Sequence, residues 1–120
     1  MAIDGPSGDQ LGSVAPIAVS QRDSGIDALR VDLPFRTQRT SGPPHPSTAA
    51  RDREGLRQAG DLLRRNHHRV YLGGHSYGGR QASMLASEEP TAADGLLLLS
   101  YPLHPPRRPT QMRTEHLAKL

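Results

Sequence analysis

The sequence predicts an α/β fold with a short parallel sheet. Patterns typical of strands and of helices alternate between residues 29 and 99, and one of the turns between them is the glycine-rich "GGHSYGG" of residues 73–79. Strand, helix, strand is typical of a parallel sheet because the helix returns the chain to the edge at which the next strand begins. With 120 residues the chain has the length of one domain, so we expect a single domain over residues 1–120.

The first part of the chain contains one predicted helix, one strand and one loop. Apolar residues from Leu11 to Ala18 recur at helical spacing and predict a helix that Pro16 weakens and Gly25 ends. Apolar residues then alternate over 29–33, which is typical of a strand. The turn-rich residues 34–47 predict a loop.

The strongest predicted helix begins after Ser47 or Thr48 and runs to about Arg65. Its apolar residues line one side: Ala49, Leu56, Ala59 and Leu63. Residues 70–72 are of the β type, and residues 80–87 again have a helical pattern that stops before Pro90.

The last predicted strand lies in "DGLLLLSYP", residues 94–102, where four consecutive leucines are typical of a strand buried on both faces. A proline-rich loop is expected over 101–112.

Composition excludes several classes of site. The chain has no cysteine, so it has no disulfide, no thiolate metal site and no cysteine nucleophile. The net charge is +3, but the arginines of the 48–65 helix are mixed with Asp52, Glu54 and Asp61, which indicates a solvated face rather than a nucleic-acid-binding stripe. No apolar run approaches the length of a membrane span. We therefore expect a cytoplasmic protein with no metal, cofactor, nucleic-acid or membrane partner.

The turn at Gly74-His75-Ser76-Tyr77-Gly78 has the G-x-S-x-G spacing of a nucleophile elbow. In an elbow a strand turns sharply into a helix, and the serine at the apex exposes its hydroxyl above the sheet edge. Gly74 and Gly78 would be required because a side chain there collides with the neighbouring strand and helix. The alternative is a glycine-rich turn whose serine only caps the following helix.

His104 is the candidate general base. Ligands of a parallel sheet collect at the carboxyl ends of its strands, and the 101–112 loop leaves the last strand at that edge. The alternative, which we favour, is a histidine that only fixes the proline-rich loop. Neither Asp94, which precedes the strand, nor Glu115, which is adjacent to His116, is placed to orient this imidazole.

The strings "DLPFR" at residues 32–36, "VYLGGHSYGGRQASMLA" at 70–86 and "SYPLHPP" at 100–106 carry a resemblance to a known family. They resemble the α/β-hydrolase-like family that includes the testis-expressed protein and NSL-complex-subunit branch, related to dienelactone hydrolases. The resemblance implies an incomplete α/β-hydrolase-like three-layer sandwich with Ser76 as nucleophile. It also implies an oxyanion hole made by the Tyr77 N–H and a loop N–H from "DGPSGD", at Gly5 or Gly8.

The chain departs from that family at both ends, since the strands before the "DGPSGD" loop and the later turns bearing the acid and the base are absent. We therefore expect a truncated, partial domain. Two functions follow: a serine hydrolase acting on a small-molecule ester, thioester or amide, or an inactive hydrolase-derived fragment or interaction module. A homo-oligomer or a complementing chain could supply the missing strands.

Overall fold

The structure is a computed structural model, and it describes residues 2–4, 15–21, 26–38 and 41–120. The strands are β1 (Ala2–Asp4), β2 (Ala15–Gln21), β3 (Ile26–Asp32), β4 (Tyr71–His75) and β5 (Gly95–Leu99). The helices are α1 (Pro34–Gln38), α2 (Ala49–Arg64) and α3 (Tyr77–Glu88). Short 3₁₀ turns span Pro46–Thr48, Pro90–Ala92 and Glu115–Lys119.

The described strands form one sheet in the order β2-β3-β1-β4-β5. β3, β1, β4 and β5 are parallel, with Leu29 beside Ala2, Ala2 beside Leu72, and Leu72 beside Leu96. The predicted α/β fold with a short parallel sheet is confirmed. The connections through α2 and α3 carry the chain back between parallel strands, as the alternating pattern predicted.

The helix predicted from Leu11 to Ala18 is wrong over the part that the structure describes. Residues 15–21 form β2, which pairs antiparallel with β3. The segment "APIAVSQ" places the β-branched Ile17 and Val19 two apart, which suits a strand as well as a helix. Pro16 is costly inside a helix but is tolerated on an outer strand, and β2 is an outer strand here.

Both long helices pack on the same face of the sheet. The buried core joins Leu29 and Val31 of β3 and Leu72 of β4 to side chains of both helices, namely Leu56, Ala59, Ala82 and Leu85. Alternate residues of a strand point to one face, so this set defines the covered face. Over the described residues, the fold is therefore a sheet with one helical layer.

The prediction that the leucines of β5 are buried on both faces is wrong. Leu97 and Leu99 are 44% and 51% exposed, whereas Leu96 packs against the core. β5 is an outer strand of the described sheet, and α3 covers only the face on which Leu96 lies. A continuous apolar run was therefore not sufficient to indicate two covered faces.

The segment predicted as a 34–47 loop begins instead with α1. Pro34 takes the first position of this helix, where its missing N–H costs nothing. Residues 101–112 contain no helix or strand, in agreement with the predicted proline-rich loop.

Candidate functional site

The turn between β4 and α3 places Ser76 in an unusual backbone conformation. Its φ is 53° and its ψ is −116°, a region that costs a residue with a side chain about 1–3 kcal/mol. The Ser76 N–H donates to the Leu99 carbonyl at 2.7 Å, which fixes the apex of the turn to the end of β5. The Ser76 side chain makes no capping hydrogen bond to α3, so the alternative of a serine whose hydroxyl only caps the helix is not observed.

Close backbone packing explains the glycines around the turn. A Cβ at Gly74 would lie 2.5 Å from the Gly78 carbonyl carbon and 2.5 Å from the Gly79 nitrogen. A Cβ at Gly79 would lie 2.6 Å from the Gly74 carbonyl oxygen. β4 and the first turn of α3 can approach this closely because Gly74 and Gly79 carry no side chain. Gly78 is buried and its carbonyl group belongs to this contact, but the prediction that position 78 itself must lack a side chain stays a prediction.

A cleft of about 540 Å³ opens over the carboxyl ends of β4 and β5. Ser76, Tyr77 and His104 all line it, so the structure brings the candidate nucleophile and the candidate base to one cavity. Its other lining residues come from the segment before α2, from α2 and α3, and from the chain after β5: Pro43, Pro44, Pro46, Ala49, Arg80, Gln81, Pro102, Pro106 and Arg113.

The exposed imidazole of His104 makes its hydrogen bond to a backbone carbonyl. Nδ1 lies 2.9 Å from the Pro105 oxygen, which can only accept, so this contact requires a proton on Nδ1; in the neutral imidazole Nε2 then has the lone pair. This bond joins adjacent residues of the proline-rich loop, and the favoured interpretation of His104 stays a prediction. It also leaves Nε2 in the tautomer that a general base uses.

Asp52 is a buried site residue that sequence reasoning missed. It was assigned to a solvated face of α2, but it is 0% exposed. Its Oδ2 accepts from the Tyr77 hydroxyl at 2.6 Å and lies 3.3 Å from Thr48 Oγ1, and its Oδ1 accepts from the Phe35 N–H at 2.8 Å. One carboxylate therefore ties α2 to the residue after Ser76 and to the start of α1. Burial, together with the hydrogen bond to Asp52, raises the pKa of the Tyr77 phenol above its usual range.

The spacing along α2 contained the signal for Asp52. The apolar side of this helix has residues at 49, 56, 59 and 63, and position 52 falls on the same side at intervals of three and four. A carboxylate on the apolar side of a helix requires buried hydrogen-bond donors. Its partners could not be deduced from the sequence because two of them belong to other elements.

A family model described as an alpha/beta hydrolase domain matches residues 13–120. The chain belongs to the α/β-hydrolase family. The fold agrees, since the matched segment contains β3, β4 and β5, three of the four parallel strands, and the sharp turn at Ser76. No match was found among solved structures.

Three other acidic or imidazole groups of this α/β-hydrolase family member, Asp94, His67 and His116, have hydrogen-bond partners other than Ser76. Asp94 accepts from the Val70 N–H at 2.8 Å, at the opposite edge of the sheet, as its position before β5 predicted. His67 pairs with Asp27 at 2.8 Å near the start of β3. His116 Nε2 lies 2.7 Å from Ser83 Oγ on α3, so it contacts a different serine.

Gly5 and Gly8, the residues expected to complete the oxyanion hole, lie outside the described residues. Over the described ranges, no group of three or more His, Asp or Glu side chains could hold a metal ion. None of the helices in the described part of the chain is both long and apolar enough to cross a bilayer.

Proposed function

We propose that the protein is a serine hydrolase that acts on an ester, thioester or amide bond, with Ser76 as the nucleophile. The observation that carries this proposal is the positive φ of Ser76 at the edge of the cleft. Ser76 Oγ attacks the carbonyl carbon, the carbonyl electron pair moves to the oxygen, and the serine proton passes to a base. Collapse of this intermediate expels the alcohol, thiol or amine with that proton, and water then releases the acyl group from Ser76.

His104 is the base that the described residues offer. It lines the same cleft, and the bond from Nδ1 to the Pro105 carbonyl leaves Nε2 free to take the serine proton. A carbonyl stabilises the resulting imidazolium less than a carboxylate does. Loss of the carboxylate lowers turnover about 10⁴-fold in a serine protease with this mechanism. We therefore expect slow turnover from these 120 residues.

The oxyanion would be held by the Tyr77 N–H. Tyr77 is the first residue of α3, so its N–H has no acceptor inside the helix. The hydrogen bond between its side chain and Asp52 holds the residue in place. A second donor from the loop containing Gly5 and Gly8 is part of the proposal on the basis of the family resemblance alone.

The second candidate function is a catalytically inactive member of the family or an interaction module. The observation that favours it is the hydrogen bond of His104 to Pro105 rather than to a carboxylate. Membership of the testis-expressed and NSL-subunit branch, a cytoplasmic location and association through an exposed sheet edge stay predictions. The exposure of Leu97 and Leu99 on the outer strand β5 supports association. Light scattering that finds a stable monomer would contradict it.

A fluorophosphonate probe distinguishes the two functions because it reacts covalently with an activated serine. We expect slow labelling of the full chain that disappears in Ser76→Ala and falls in His104→Ala. Ser87→Ala is the matched control, since Ser87 Oγ donates to the Met84 carbonyl inside α3. Labelling that persists in Ser76→Ala refutes the assigned nucleophile, and no labelling of the folded chain supports the inactive alternative. Labelling that is unchanged in His104→Ala refutes the assigned base.

A further inference from the structure

Two arginines line the cleft beside Ser76. Arg80 lies one helical turn further along α3, and its backbone N–H donates to the Ser76 carbonyl at 3.0 Å. Arg113 directly follows the proline-rich loop and lines the same cavity. Ser76 and Arg80 therefore lie close together, and both line the same cleft.

These two guanidinium groups lack an acidic partner among the residues that the structure describes. The arginine ion pairs found there are Arg53 with Glu88, Arg57 with Glu54 and Asp61, and Arg64 with Asp94. Arg80 Nε is buried without a hydrogen-bond partner, and Arg80 Nη1 contacts the thioether of Met84 at 3.0 Å. The donors of Arg80 are therefore not satisfied by an acidic side chain of the described residues.

Two other arginines, Arg113 and Arg53, lie near enough to Arg80 to affect its pKa. Burial lowers its pKa from the ordinary value, and Arg113 and Arg53 act in the same direction. An arginine remains protonated despite such a shift, because its ordinary pKa is so high. The unfavourable proximity of these charges is relieved when an anion binds between them.

A second cavity of about 450 Å³ adjoins the first, and both cavities are lined by Arg80 and Arg113. Its other lining residues are Met84, Met112, Glu115, His116 and Lys119. Glu115 is the acidic residue of this set, and over the described ranges it forms no ion pair with either arginine. Arg80 and Arg113 therefore lie where the cavity at the nucleophile meets a second cavity, whose lining also includes Lys119 and Glu115.

We propose that the ligand of this cleft carries a carboxylate or phosphate group that binds Arg80 and Arg113 while its carbonyl lies at Ser76. A planar guanidinium donates two parallel hydrogen bonds to either anion, which is why arginine is suited to this recognition. The position of the carbonyl rests on the proposed hydrolase function. Recognition of the anion does not, because it can be measured without any reaction.

The test is calorimetric titration of the full chain carrying Ser76→Ala, which cannot form an acyl-enzyme. The probes are monobenzyl succinate, its neutral methyl ester and benzyl phosphate. We expect at least tenfold tighter binding of an anionic probe than of the neutral ester. The stronger of the two anionic probes shows whether the group is a carboxylate or a phosphate.

Replacing either arginine identifies the binding groups. Arg80→Gln and Arg113→Gln should each remove most of the preference for the anion. Arg51→Gln is the matched control, because it makes the same change of charge at an exposed position of α2 that lines neither cavity. Equal binding of the anionic and neutral probes refutes the proposal, as does a preference that Arg113→Gln leaves unchanged. Arg113 is half-buried outside the helices, so this variant remains informative if Arg80→Gln does not fold.

The labelling experiment on the wild-type chain separates the two proposals. Anion preference without any labelling of Ser76 would leave a binding site and refute the hydrolase function. Labelling of Ser76 without anion preference would support the hydrolase function and refute the assigned ligand class.

Discussion

Replacing Tyr77 with phenylalanine tests whether the buried carboxylate of Asp52 stabilises the fold through its contact beside the elbow. The variant removes the hydroxyl that donates to Asp52 Oδ2 at 2.6 Å and leaves that oxygen only the weaker contact to Thr48 at 3.3 Å. A hydrogen bond to a charged group contributes about 1.5–3 kcal/mol. Because Asp52 is 0% exposed, water does not replace the lost donor. We expect Tyr77→Phe to lower the free energy of unfolding by about 2 kcal/mol.

Urea denaturation followed by circular dichroism measures this change, and Tyr71→Phe is the matched control. Tyr71 is 42% exposed, and removal of its hydroxyl should change the unfolding free energy by less than about 0.5 kcal/mol. Asp52→Asn and the double variant complete a cycle in which the two substitutions should be non-additive by about 1 kcal/mol or more. Additive effects, or a Tyr77→Phe variant as stable as the control, would show that the contact does not stabilise the fold.

Two further predictions concern backbone packing and pH. Gly74→Ala should destabilise the protein by about 3 kcal/mol or more, since its Cβ would meet backbone atoms at 2.5 Å. Gly60→Ala, whose Cβ would lie 3.6 Å from a leucine side chain, should instead raise stability by about 0.5–1 kcal/mol. Chemical denaturation measures both changes, and equal effects of the two substitutions would contradict the close approach at Gly74. Burial lowers the pKa of His116 below the ordinary 6.5, so its contribution to stability is present above pH 6.5 and is lost on acidification. Hydrogen bonds to the Leu63 carbonyl and to Asp27 raise the pKa of His67, so its contribution is present below pH 6.5 and is lost as pH rises through the raised value. The thermal midpoints of His116→Gln, His67→Gln and the wild-type chain should be measured below and above pH 6.5. As pH rises, the difference between variant and wild type should change in opposite directions for the two variants. Midpoint curves that stay parallel to that of the wild type would contradict these assignments.

The elements that the sequence predicted well were those whose local pattern agrees with their environment. α2 was predicted within a few residues because its apolar side packs on the sheet and its length suits a helix. The turn at Ser76 was predicted because its strand, glycines and helix follow each other directly in the chain. In these elements the local sequence preference agrees with the overall fold, so the local pattern was enough to predict them.

The predictions that were wrong depended on contacts between elements. Residues 15–21 form a strand because β3 lies beside them, and the spacing of their apolar residues did not reveal that neighbour. The exposure of Leu97 depends on what lies over β5, not on the residues around it in the chain. The donors to Asp52 come from elements 17 and 25 positions away. Sequence patterns describe a single element well and describe contacts between elements poorly.

Because the Ser76 N–H donates to the Leu99 carbonyl, the backbone conformation of Ser76 depends on both β4 and β5. A serine holds a positive φ only while its surroundings impose it, and here β5, one of the two outer strands of the described sheet, is part of those surroundings. Outer strands open more readily than central ones, so local fraying of β5 would release the apex and withdraw the hydroxyl from the cleft. Reactivity at Ser76 would then disappear before the core unfolds, and it would report on the integrity of that sheet edge.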